Sequence, residues 1–469
     1  MPEPLWTSDE ILAATGGTLV GAPFDATGIS IDTRSLSPGD LFVALAGARD
    51  GHEFVGQARA KGAAGALVTH PVMGCQILVP DAQKALETLG VAARTRAAQA
   101  RRGAVTGSVG KTGVTQALAA GLALAGPSHA SIKSYNNHIG VPLTLARMPR
   151  DVQRAVFEVG MNHADEIAPL SRMIRPHAVA ITTVGPVHIE NFPDGEEGVA
   201  RAKAEIFAGL EPGGTAVLNA DNRWFELLKG EAAKAGARVV RFGAAEDSEA
   251  QLLGFDVAPG GAVVSAKLHG RQLRFPIRQG GAHWGPNSLA VILMLEALGV
   301  DLDTGLAALA GFAPLSGRGA EHRLMFAGGA ADLIDESYNA NPVSMAAAIQ
   351  SLGARKPTGR RIAVLTDMLE LGSDSPRFHA DLASPLAEAG VDLVFCAGPL
   401  MRSLWNALPA SRRGAYAEVA SDLAFDVATA IGPGDVIMVK GSNGSRAGEI
   451  VSVLTKNFAN HSAGEGAAH

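Results

Sequence analysis

Short apolar runs recur along the chain and alternate with longer stretches in which apolar residues follow a helical period. The runs at residues 103–106, 155–159, 178–183 and 215–219 are rich in Val and Ala and have the length of buried strands. Helix-like stretches separate them. Because parallel strands need crossover connections, which are usually helices, this order predicts an α/β protein with mostly parallel sheets.

Changes in this pattern predict three domains. Residues 1–82 carry short strands and helices between turn formers, which predicts a small α/β domain. Residues 83–312 predict a central domain with a mostly parallel sheet, which an antiparallel meander extends between residues 255 and 277. Residues 313–469 alternate strand and helix again, which predicts a Rossmann-like, doubly wound C-terminal domain.

Composition narrows the possible partners and the compartment. The chain has 469 residues and a formal net charge of −6, which argues against a nucleic-acid binder. A basic cluster at Arg94, Arg96, Arg101 and Arg102 is interpreted as a solvated face. Two widely separated cysteines favour a reducing compartment, and the sequence shows no secretory signal and no membrane-spanning apolar run. These features predict a soluble, cytoplasmic protein.

The segment TGSVGKT lies between a predicted strand and a predicted helix, which is the setting of a phosphate-binding loop. Gly107 and Gly110 would let backbone N–H groups turn toward phosphate oxygens. Lys111 would neutralise the β- and γ-phosphates, and the Thr112 hydroxyl would hold Mg²⁺. The loop is shorter than the common form, which has a further glycine upstream. The motif predicts ATP binding by Thr106, Gly107, Ser108, Val109, Gly110, Lys111 and Thr112.

Three more residues of the central domain are candidates for chemistry. Glu158 ends an apolar strand, and a carboxylate at that edge commonly shares the Mg²⁺ of a phosphate loop, although a solvated strand end is the alternative. His188 follows the next strand, where a histidine is either structural or a ligand. Lys203 lies in a helix of mixed character, and periodicity alone predicts a surface lysine there.

Motifs in all three predicted domains resemble those of the Mur ligases of peptidoglycan synthesis. The first domain carries DTRSLSPGDLFVALAG and DGHEFV. The second carries TGSVGKT, NNHIGVPLTL, FEVGMN, VGPVHIENF, AKAEIF and GAHWGPN, and the third carries DESYNANPVSM, DMLELG and VKGSNGS. The most discriminating piece is DESYNANP, at residues 335–342, because other members of the superfamily carry different sequences there.

The resemblance implies an ATP-dependent ligase that joins D-alanyl-D-alanine to the tripeptide carboxylate of UDP-N-acetylmuramoyl-tripeptide through an acyl phosphate. It implies catalytic roles for Lys111, Glu158, His188 and Lys203. It also implies two Mg²⁺ ions, held by Thr112, Glu158, His188 and Lys203, the last of these carbamylated. The first domain would bind the UDP group, and we expect a monomer.

The resemblance also assigns the remaining candidate residues to subsites. They are Thr33 and Arg34 for the uridine diphosphate, Asn136 and Asn137 for substrate contacts of the central domain, His283 and Asn287 for the adenine side, Arg318 (or alternatively Arg323) for the nucleotide phosphate, and Asp335, Asn339, Asn341, Lys440 and Ser442 for the dipeptide side.

Departures from the family pattern leave rival interpretations open. Gly113 replaces a better helix former, Thr366 replaces a glycine before DMLELG, and Asn443 replaces an arginine, for which Arg446 is the candidate substitute. The rivals are another amino-acid-adding Mur ligase, a regulatory protein that binds nucleotide without making a bond, and a non-catalytic paralogue. DESYNANP argues against the first, and the DTRSLSPGDLFVALAG block is unexplained by the second.

Overall fold

The computed structural model describes residues 3–47, 49–132, 134–258 and 260–458. Its main sheets occupy successive stretches of the chain and consist mostly of parallel strands. The predicted α/β class is therefore confirmed. The predicted domain borders, after residues 82 and 312, fall between these sheets and stay a prediction.

The N-terminal region contains a five-stranded sheet, a separate antiparallel pair of strands (Trp6–Thr7 and Asp25–Ala26) and flanking helices. Its strands are Trp6–Thr7 (β1), Thr18–Val20 (β2), Asp25–Ala26 (β3), Gly28–Ser30 (β4), Asp40–Val43 (β5), Gly65–Val68 (β6) and Gln76–Leu78 (β7). Its helices are Ser8–Thr15 (α1), Val55–Ala60 (α2) and Ala82–Arg96 (α3). The sheet order is β2-β7-β6-β5-β4, with β2 antiparallel to β7 and the other pairs parallel. The Asp81 carboxylate caps α3 by accepting from the Lys84 N–H.

The central region is built on a larger sheet. Its strands are Arg101–Thr106 (β8), Ser128–Ala130 (β9), Arg154–Glu158 (β10), Ala178–Ile181 (β11), Thr215–Asn219 (β12), Arg238–Gly243 (β13), Ala250–Ala258 (β14), Gly261–Leu268 (β15) and Arg271–Ile277 (β16). Its helices are Lys111–Leu124 (α4), Gly140–Ala146 (α5), Ile167–Ile174 (α6), Glu196–Ala204 (α7), Phe225–Lys234 (α8), Trp284–Ala297 (α9) and Leu302–Gly311 (α10). The order is β16-β15-β14-β13-β12-β11-β8-β10-β9, and the β14–β16 antiparallel meander confirms the prediction.

The parallel strands β8, β10 and β11 bring their C-terminal ends to one edge of this sheet. Glu158 of β10 pairs with Val105 of β8, and Ile181 of β11 pairs with Thr106. Helices α4 and α9 cover one face, while α6, α7 and α8 cover the other. Because the strands are buried on both faces, their sequences are continuous apolar runs. Such runs allow the strands to be predicted from the sequence.

The C-terminal region contains a third sheet, which is mostly parallel. Its strands are Ala320–Phe326 (β17), Gly329–Glu336 (β18), Arg361–Thr366 (β19), Leu393–Ala397 (β20), Arg413–Ala417 (β21) and Val436–Lys440 (β22). Its helices are Pro342–Gly353 (α11), Ser375–Ala380 (α12), Ala383–Glu388 (α13), Arg402–Ala407 (α14), Ala420–Ala430 (α15) and Ala447–Asn457 (α16). The order is β17-β18-β22-β19-β20-β21, with β17 antiparallel to β18.

The predicted solvated face of arginines is wrong for three of its members, of which Arg94 donates to the Met173 carbonyl. Arg102 is buried and donates to the carbonyls of Ile174 and Ala100. Arg96 lies with its guanidinium 4.1 Å from the Trp6 ring centre and donates to the Leu5 carbonyl. Burial lowers the pKa of Arg96 to about 10. These cations therefore join chain segments by satisfying carbonyl groups, which charge counting alone does not reveal.

The structure also bears on the membrane-spanning segments and the cysteines considered in the sequence analysis. No helix in the described ranges is long and apolar enough to cross a lipid bilayer. Cys75 and Cys396 are free thiols.

Candidate active site

The phosphate loop connects the end of β8 to the start of α4. Gly107 and Gly110 have φ angles of 148° and 88°. A Cβ on Gly107 would lie 2.0 Å from Thr182 Oγ1, and one on Gly110 would lie 2.9 Å from Asn287 Nδ2. Both positions therefore require glycine for conformation and for space. Lys111 Nζ donates to the Gly107 carbonyl at 2.6 Å, which folds the lysine back over the loop.

Hydrogen bonds fix the remainder of the loop against the neighbouring strand end. The Ser108 N–H donates to the Thr183 carbonyl at 2.8 Å. The Ser108 hydroxyl donates to the Gly185 carbonyl and accepts from the Gly185 N–H at 3.0 Å. The loop is thus held by the segment that leads to His188, so the two predicted parts of the site are joined directly.

Glu158 presents an unpaired carboxylate oxygen beside this loop. Its Oε1 accepts from Asn136 Nδ2 at 2.7 Å. Its Oε2 is buried and has no hydrogen-bond partner among the residues described. An unsatisfied buried carboxylate oxygen is costly, so a missing partner is implied. The Thr112 hydroxyl lines the same cavity. Hydroxyl and carboxylate oxygens are ligands that Mg²⁺ accepts, so these residues fit a magnesium ion.

Lys203 is buried, with 2% of its surface exposed, so the surface position predicted from periodicity is wrong. Alanines and Val199 make up most of the buried residues of α7, and such small side chains leave the amphipathic signal weak. Within the described part of the chain, the ammonium has no hydrogen bond or ion pair. Burial and, secondarily, the charge of Lys111 lower the pKa of Lys203 well below its usual range. The neutral amine is thereby favoured.

His188 stands beyond β11 in a left-handed conformation, with a φ angle of 56°. Its Nδ1 lies 2.6 Å from Glu370 Oε2 of the C-terminal region. Burial lowers the pKa of His188 below its usual value, and the carboxylate of Glu370 offsets only part of this decrease. The histidine is therefore placed between the phosphate loop and the third predicted domain.

The start of α9 forms another wall. His283 and Asn287 both line the cavity, and Asn287 is the residue that approaches Gly110. Trp284 packs against α4, where a Cβ on Gly113 would lie 3.0 Å from Trp284 Cζ2. The glycine that departs from the family pattern is thus explained by a tryptophan that needs the space.

Side chains of the C-terminal region close the opposite wall. The Arg318 guanidinium lies 4.0 Å from the centre of the Tyr338 ring, and the Tyr338 hydroxyl is 2.8 Å from Ser134 Oγ. Lys440 Nζ donates to the Asn339 carbonyl at 3.0 Å and lies 3.5 Å from Glu336 Oε2. Burial lowers the pKa of Lys440 below its usual value, and the neighbouring Glu336 carboxylate offsets only part of this decrease. The wall therefore carries two cations that face the phosphate loop.

These walls enclose a cavity of about 400 Å³. Among the predicted residues, those that line it are Ser108, Val109, Gly110, Lys111, Thr112, Asn136, Glu158, His188, His283, Asn287, Arg318, Asn339, Asn341 and Lys440. A volume of this size with converging charged groups suits a small-molecule site.

Family comparisons agree with this geometry. Matching family models are the Mur ligase family catalytic domain over residues 25–102, the Mur ligase middle domain over residues 105–295, and the Mur ligase glutamate ligase domain over residues 322–443. The UDP-N-acetylmuramoyl-tripeptide--D-alanyl-D-alanine ligase of Escherichia coli is 34% identical over 96% of this chain and 98% of that protein. The chain belongs to the Mur ligase family. The resemblance of its motifs is therefore confirmed.

Solved Mur ligase structures have the same fold. A crystal structure of MurF from Acinetobacter baumannii has a TM-score of 0.84 and 27% identity, covering 96% of this chain and 99% of that one. MurF ligase from Thermotoga maritima, in complex with ADP, has a TM-score of 0.76 and 23% identity, covering 92% of this chain and 97% of that one. At the latter identity the likeness shows the fold alone.

Some residues predicted for this Mur ligase lie outside the cavity. The Thr33 hydroxyl donates to Gln57 Oε1 at 2.8 Å, and the exposed Arg34 guanidinium pairs with Asp32. Asn137 Oδ1 accepts from the Gly140 N–H at 2.9 Å, at the start of α5. The uridine-diphosphate subsite predicted for Thr33 and Arg34 is therefore separate from the cavity and stays a prediction.

Other predicted residues of the Mur ligase form hydrogen bonds with backbone groups next to the third-domain wall. Asp335 is buried, and its carboxylate accepts from the Gly317 N–H at 2.7 Å. Ser442 Oγ donates to the Ala340 carbonyl and accepts from the Leu369 N–H at 3.0 Å. Asn341 caps α11 as well as lining the cavity. Thr106 ends β8 below the loop.

The structure also gives the positions of Arg323 and Arg446, which the sequence analysis named as alternatives. Arg323 is 65% exposed and pairs with Asp332, away from the cavity, so Arg318 is the arginine at the site. Arg446 pairs with Glu449 and does not line the cavity, so no compensation for Asn443 is seen. Thr366 Oγ1 lies 2.5 Å from Ser445 Oγ, which gives its hydroxyl a partner.

Several cavity residues were missed from the sequence. Glu336 and Tyr338 lie inside DESYNANP, which was singled out as a motif without a role for either residue. Asn162 lies shortly after one predicted strand and Asn219 ends another, positions that could have identified them. Ser134 carries no local signal, because its significance depends on a tyrosine 204 residues away.

Proposed function

We propose that this Mur ligase joins D-alanyl-D-alanine to the tripeptide carboxylate of UDP-N-acetylmuramoyl-tripeptide in peptidoglycan precursor synthesis, at the expense of ATP. The observation that carries the proposal is the cavity in which the phosphate loop faces Arg318, Asn339 and Lys440 of the third domain. The E. coli relative, which is similar over nearly its whole length, is named for this reaction.

The proposed reaction has two steps. A carboxylate oxygen of the tripeptide attacks the γ-phosphorus of ATP, the bond from that phosphorus to the ADP oxygen breaks, and an acyl phosphate forms. The amine of the dipeptide then attacks the acyl carbon and loses a proton, and inorganic phosphate leaves. Both steps bring anions together, so positioning and fixed positive charge supply most of the catalysis.

The nucleotide would bind across the interface of the central and third domains. The glycine loop and the start of α4 offer backbone N–H groups to the phosphates, and Lys111 adds a cation. His283 and Asn287 are proposed for the adenine side, and Arg318 for the phosphates on the opposite wall. MurF ligase from Thermotoga maritima, which shares the fold, was solved in complex with ADP.

Thr112 and Glu158 would hold one Mg²⁺ ion, and His188 with a modified Lys203 would hold a second. Bound Mg²⁺ supplies Lewis-acid charge neutralisation to phosphate and carboxylate oxygens. The unpartnered Oε2 of Glu158 supports the first assignment. The chain's own task is to keep these oxygen and nitrogen donors fixed around the reacting groups.

Lys203 is proposed to be a carbamate. Its neutral amine would attack carbon dioxide, a nitrogen–carbon bond would form, and a proton would leave to solvent. The product is an anion where an ammonium stood, and an anion can serve a cation site. The burial of Lys203, its lack of a partner among the described residues and its lowered pKa all favour this chemistry.

The dipeptide would enter from the third domain. Lys440 is held by the Asn339 carbonyl and by Glu336, so its charge is fixed at the cavity wall. A fixed cation suits the carboxylate of D-alanyl-D-alanine, whose amine would then point toward the phosphate loop. Asn339 and Asn341 would complete this subsite.

Phosphate release tests the proposal directly. The purified chain is given ATP, Mg²⁺ and the UDP-linked tripeptide, with D-alanyl-D-alanine, with single amino acids, or with no amine. We expect release and an amide product with the dipeptide. Release with single amino acids alone would favour another amino-acid-adding Mur ligase, and no release under any condition would favour a non-catalytic paralogue.

A further inference from the structure

Two loops from different domains meet at His188 and Glu370. One is the 3₁₀ turn Ile189–Asn191, directly after His188, and the other is the turn Gly372–Asp374, just after Glu370. A Cβ on Gly372 would lie 3.2 Å from the Cβ of Glu190, so the loops approach closely. Between them, His188 Nδ1 lies 2.6 Å from Glu370 Oε2.

Both partners of this contact have an unusual backbone. The φ angles of His188 and Glu370 are 56° and 62°, in the left-handed region that side-chain-bearing residues rarely adopt. Such conformations are costly and persist where the surrounding structure enforces them, often at functional sites. Two of them facing each other across a domain interface indicate that the contact is built into both loops.

The loop that carries Glu370 is firmly anchored in the third domain. The Asp367 carboxylate accepts from the Met401 N–H at 2.9 Å. The Met368 N–H donates to Nε2 of the buried His379 at 2.9 Å, and the Leu369 N–H donates to Ser442 Oγ at 3.0 Å. The residues before Glu370 are thus fixed in succession, so the carboxylate is presented from a rigid support.

We propose that Glu370 is a positioning residue that orients the imidazole of His188 for a metal ion, from the opposite side of the domain interface. Histidine ligands commonly have one ring nitrogen held by a carboxylate while the other binds the metal. Nδ1 of His188 is buried and makes no aligned hydrogen bond with the described residues, but the Glu370 carboxylate lies 2.6 Å from it, which leaves Nε2 for the ion. The proposal rests on the metal-holding role of His188 in the proposed function.

This arrangement makes the metal site depend on domain position. Glu158 and Thr112 belong to the central domain, and Glu158 Oε1 accepts its hydrogen bond from Asn136 of the same domain. The orientation of His188 instead requires Glu370, so it is completed when the third domain lies against the central one. An ion pair isolated on the surface would have little effect on the orientation of His188 or on the metal site.

The test compares Glu370→Ala and Glu370→Gln in the full chain, with Asp374→Ala as the matched control. Asp374 is an exposed carboxylate close to Glu370 in sequence, and it pairs with Arg377 rather than with His188. The first measurement is the ¹⁵N NMR spectrum of the histidine rings in metal-free protein, with the His188 signal assigned by its loss in His188→Gln. The second is Mn²⁺ affinity in the presence of ADP, followed by electron paramagnetic resonance.

We expect wild type, Glu370→Gln and Asp374→Ala to keep the proton of His188 on Nδ1. Glu370→Ala should show a mixture of tautomers and bind one of the two Mn²⁺ ions, the one assigned to His188, about 10- to 100-fold more weakly. Its affinity for ADP without metal should not change. An unaltered tautomer and unaltered Mn²⁺ affinity in Glu370→Ala would overturn the proposal. Neither measurement needs turnover, so a wild type that binds Mn²⁺ but forms no amide would contradict the proposed function instead.

Discussion

The two walls of the cavity are built by different means. On the central side, the residues around the phosphate loop stand at the ends of paired parallel strands, as the register of Glu158 with Val105 shows. On the third-domain side, Tyr338 and Glu370 reach the central domain through contacts with Ser134 and His188. The central wall is therefore preorganised by main-chain hydrogen bonds, whereas the alignment of the two walls depends on side-chain contacts between the domains.

Removing the charge of Glu158 should have the largest effect, because it breaks the preorganised wall. In Glu158→Gln, Asn136 can still donate to the remaining carbonyl oxygen, but the negative charge for the metal is lost. We expect kcat/KM to fall about 10³-fold, which corresponds to about 4 kcal/mol of transition-state stabilisation. Steady-state phosphate release measures it, and the exposed Glu226→Gln serves as control. A loss of less than tenfold would contradict a metal-holding role.

Burial of Lys203 should make the free energy of unfolding depend on pH. The folded state lowers the pKa of this lysine, so between that value and its ordinary 10.5 the unfolded chain binds more protons. Stability should therefore rise with pH across this window, at up to about 1.4 kcal/mol per pH unit. In carbon-dioxide-free buffer, Lys203→Met should flatten this slope and be more stable at pH 7. Urea unfolding at several pH values measures both, and a slope equal to that of wild type would contradict the prediction.

A matched control for this experiment is Lys234→Met, because Lys234 is exposed and pairs with Glu231. Its pH dependence should equal that of wild type. Labelled carbon dioxide adds a separate observation: ¹³C NMR should show a carbamate signal in wild type and in Lys234→Met, but none in Lys203→Met.

Tyr338→Phe should have a smaller effect, because it weakens the alignment of the walls without touching the charges. The variant loses the hydroxyl that meets Ser134 but keeps the ring beneath Arg318. A hydrogen bond of this kind contributes about 1 kcal/mol, so we expect kcat/KM to fall roughly fivefold. Ser134→Ala should do the same, and the double variant should cost no more than either alone. Additive losses would show that the two residues act separately.

The difference between the walls also explains what the sequence could predict. The phosphate loop and Glu158 belong to local strand–loop motifs, so a single segment carries enough information to place them. Glu370 and Ser134 acquire their contacts from partners in another domain, which no local pattern encodes. Lys203 was misplaced because neighbouring alanines hide the buried face of α7. Strand β17 carries no such signal, because its sequence AEHRLMF neither alternates polar and apolar residues nor forms a continuous apolar run.

The smallest predicted effect concerns packing behind the phosphate loop. In Gly113→Ala, the gain in helix propensity of about 1 kcal/mol is opposed by a Cβ placed 3.0 Å from Trp284 Cζ2. Overpacking of a buried contact costs about 1–3 kcal/mol, so we expect a net loss of stability near 1 kcal/mol.

Gly230→Ala is the matched control for this last substitution. Gly230 also lies inside a helix, but a Cβ there would have no atom within 4 Å, so the propensity gain should appear alone. We expect this variant to be more stable than wild type by about 0.5–1 kcal/mol in urea unfolding. If both alanine variants are stabilised equally, Trp284 does not require the glycine. The Gly113 departure from the family pattern would then have no packing reason.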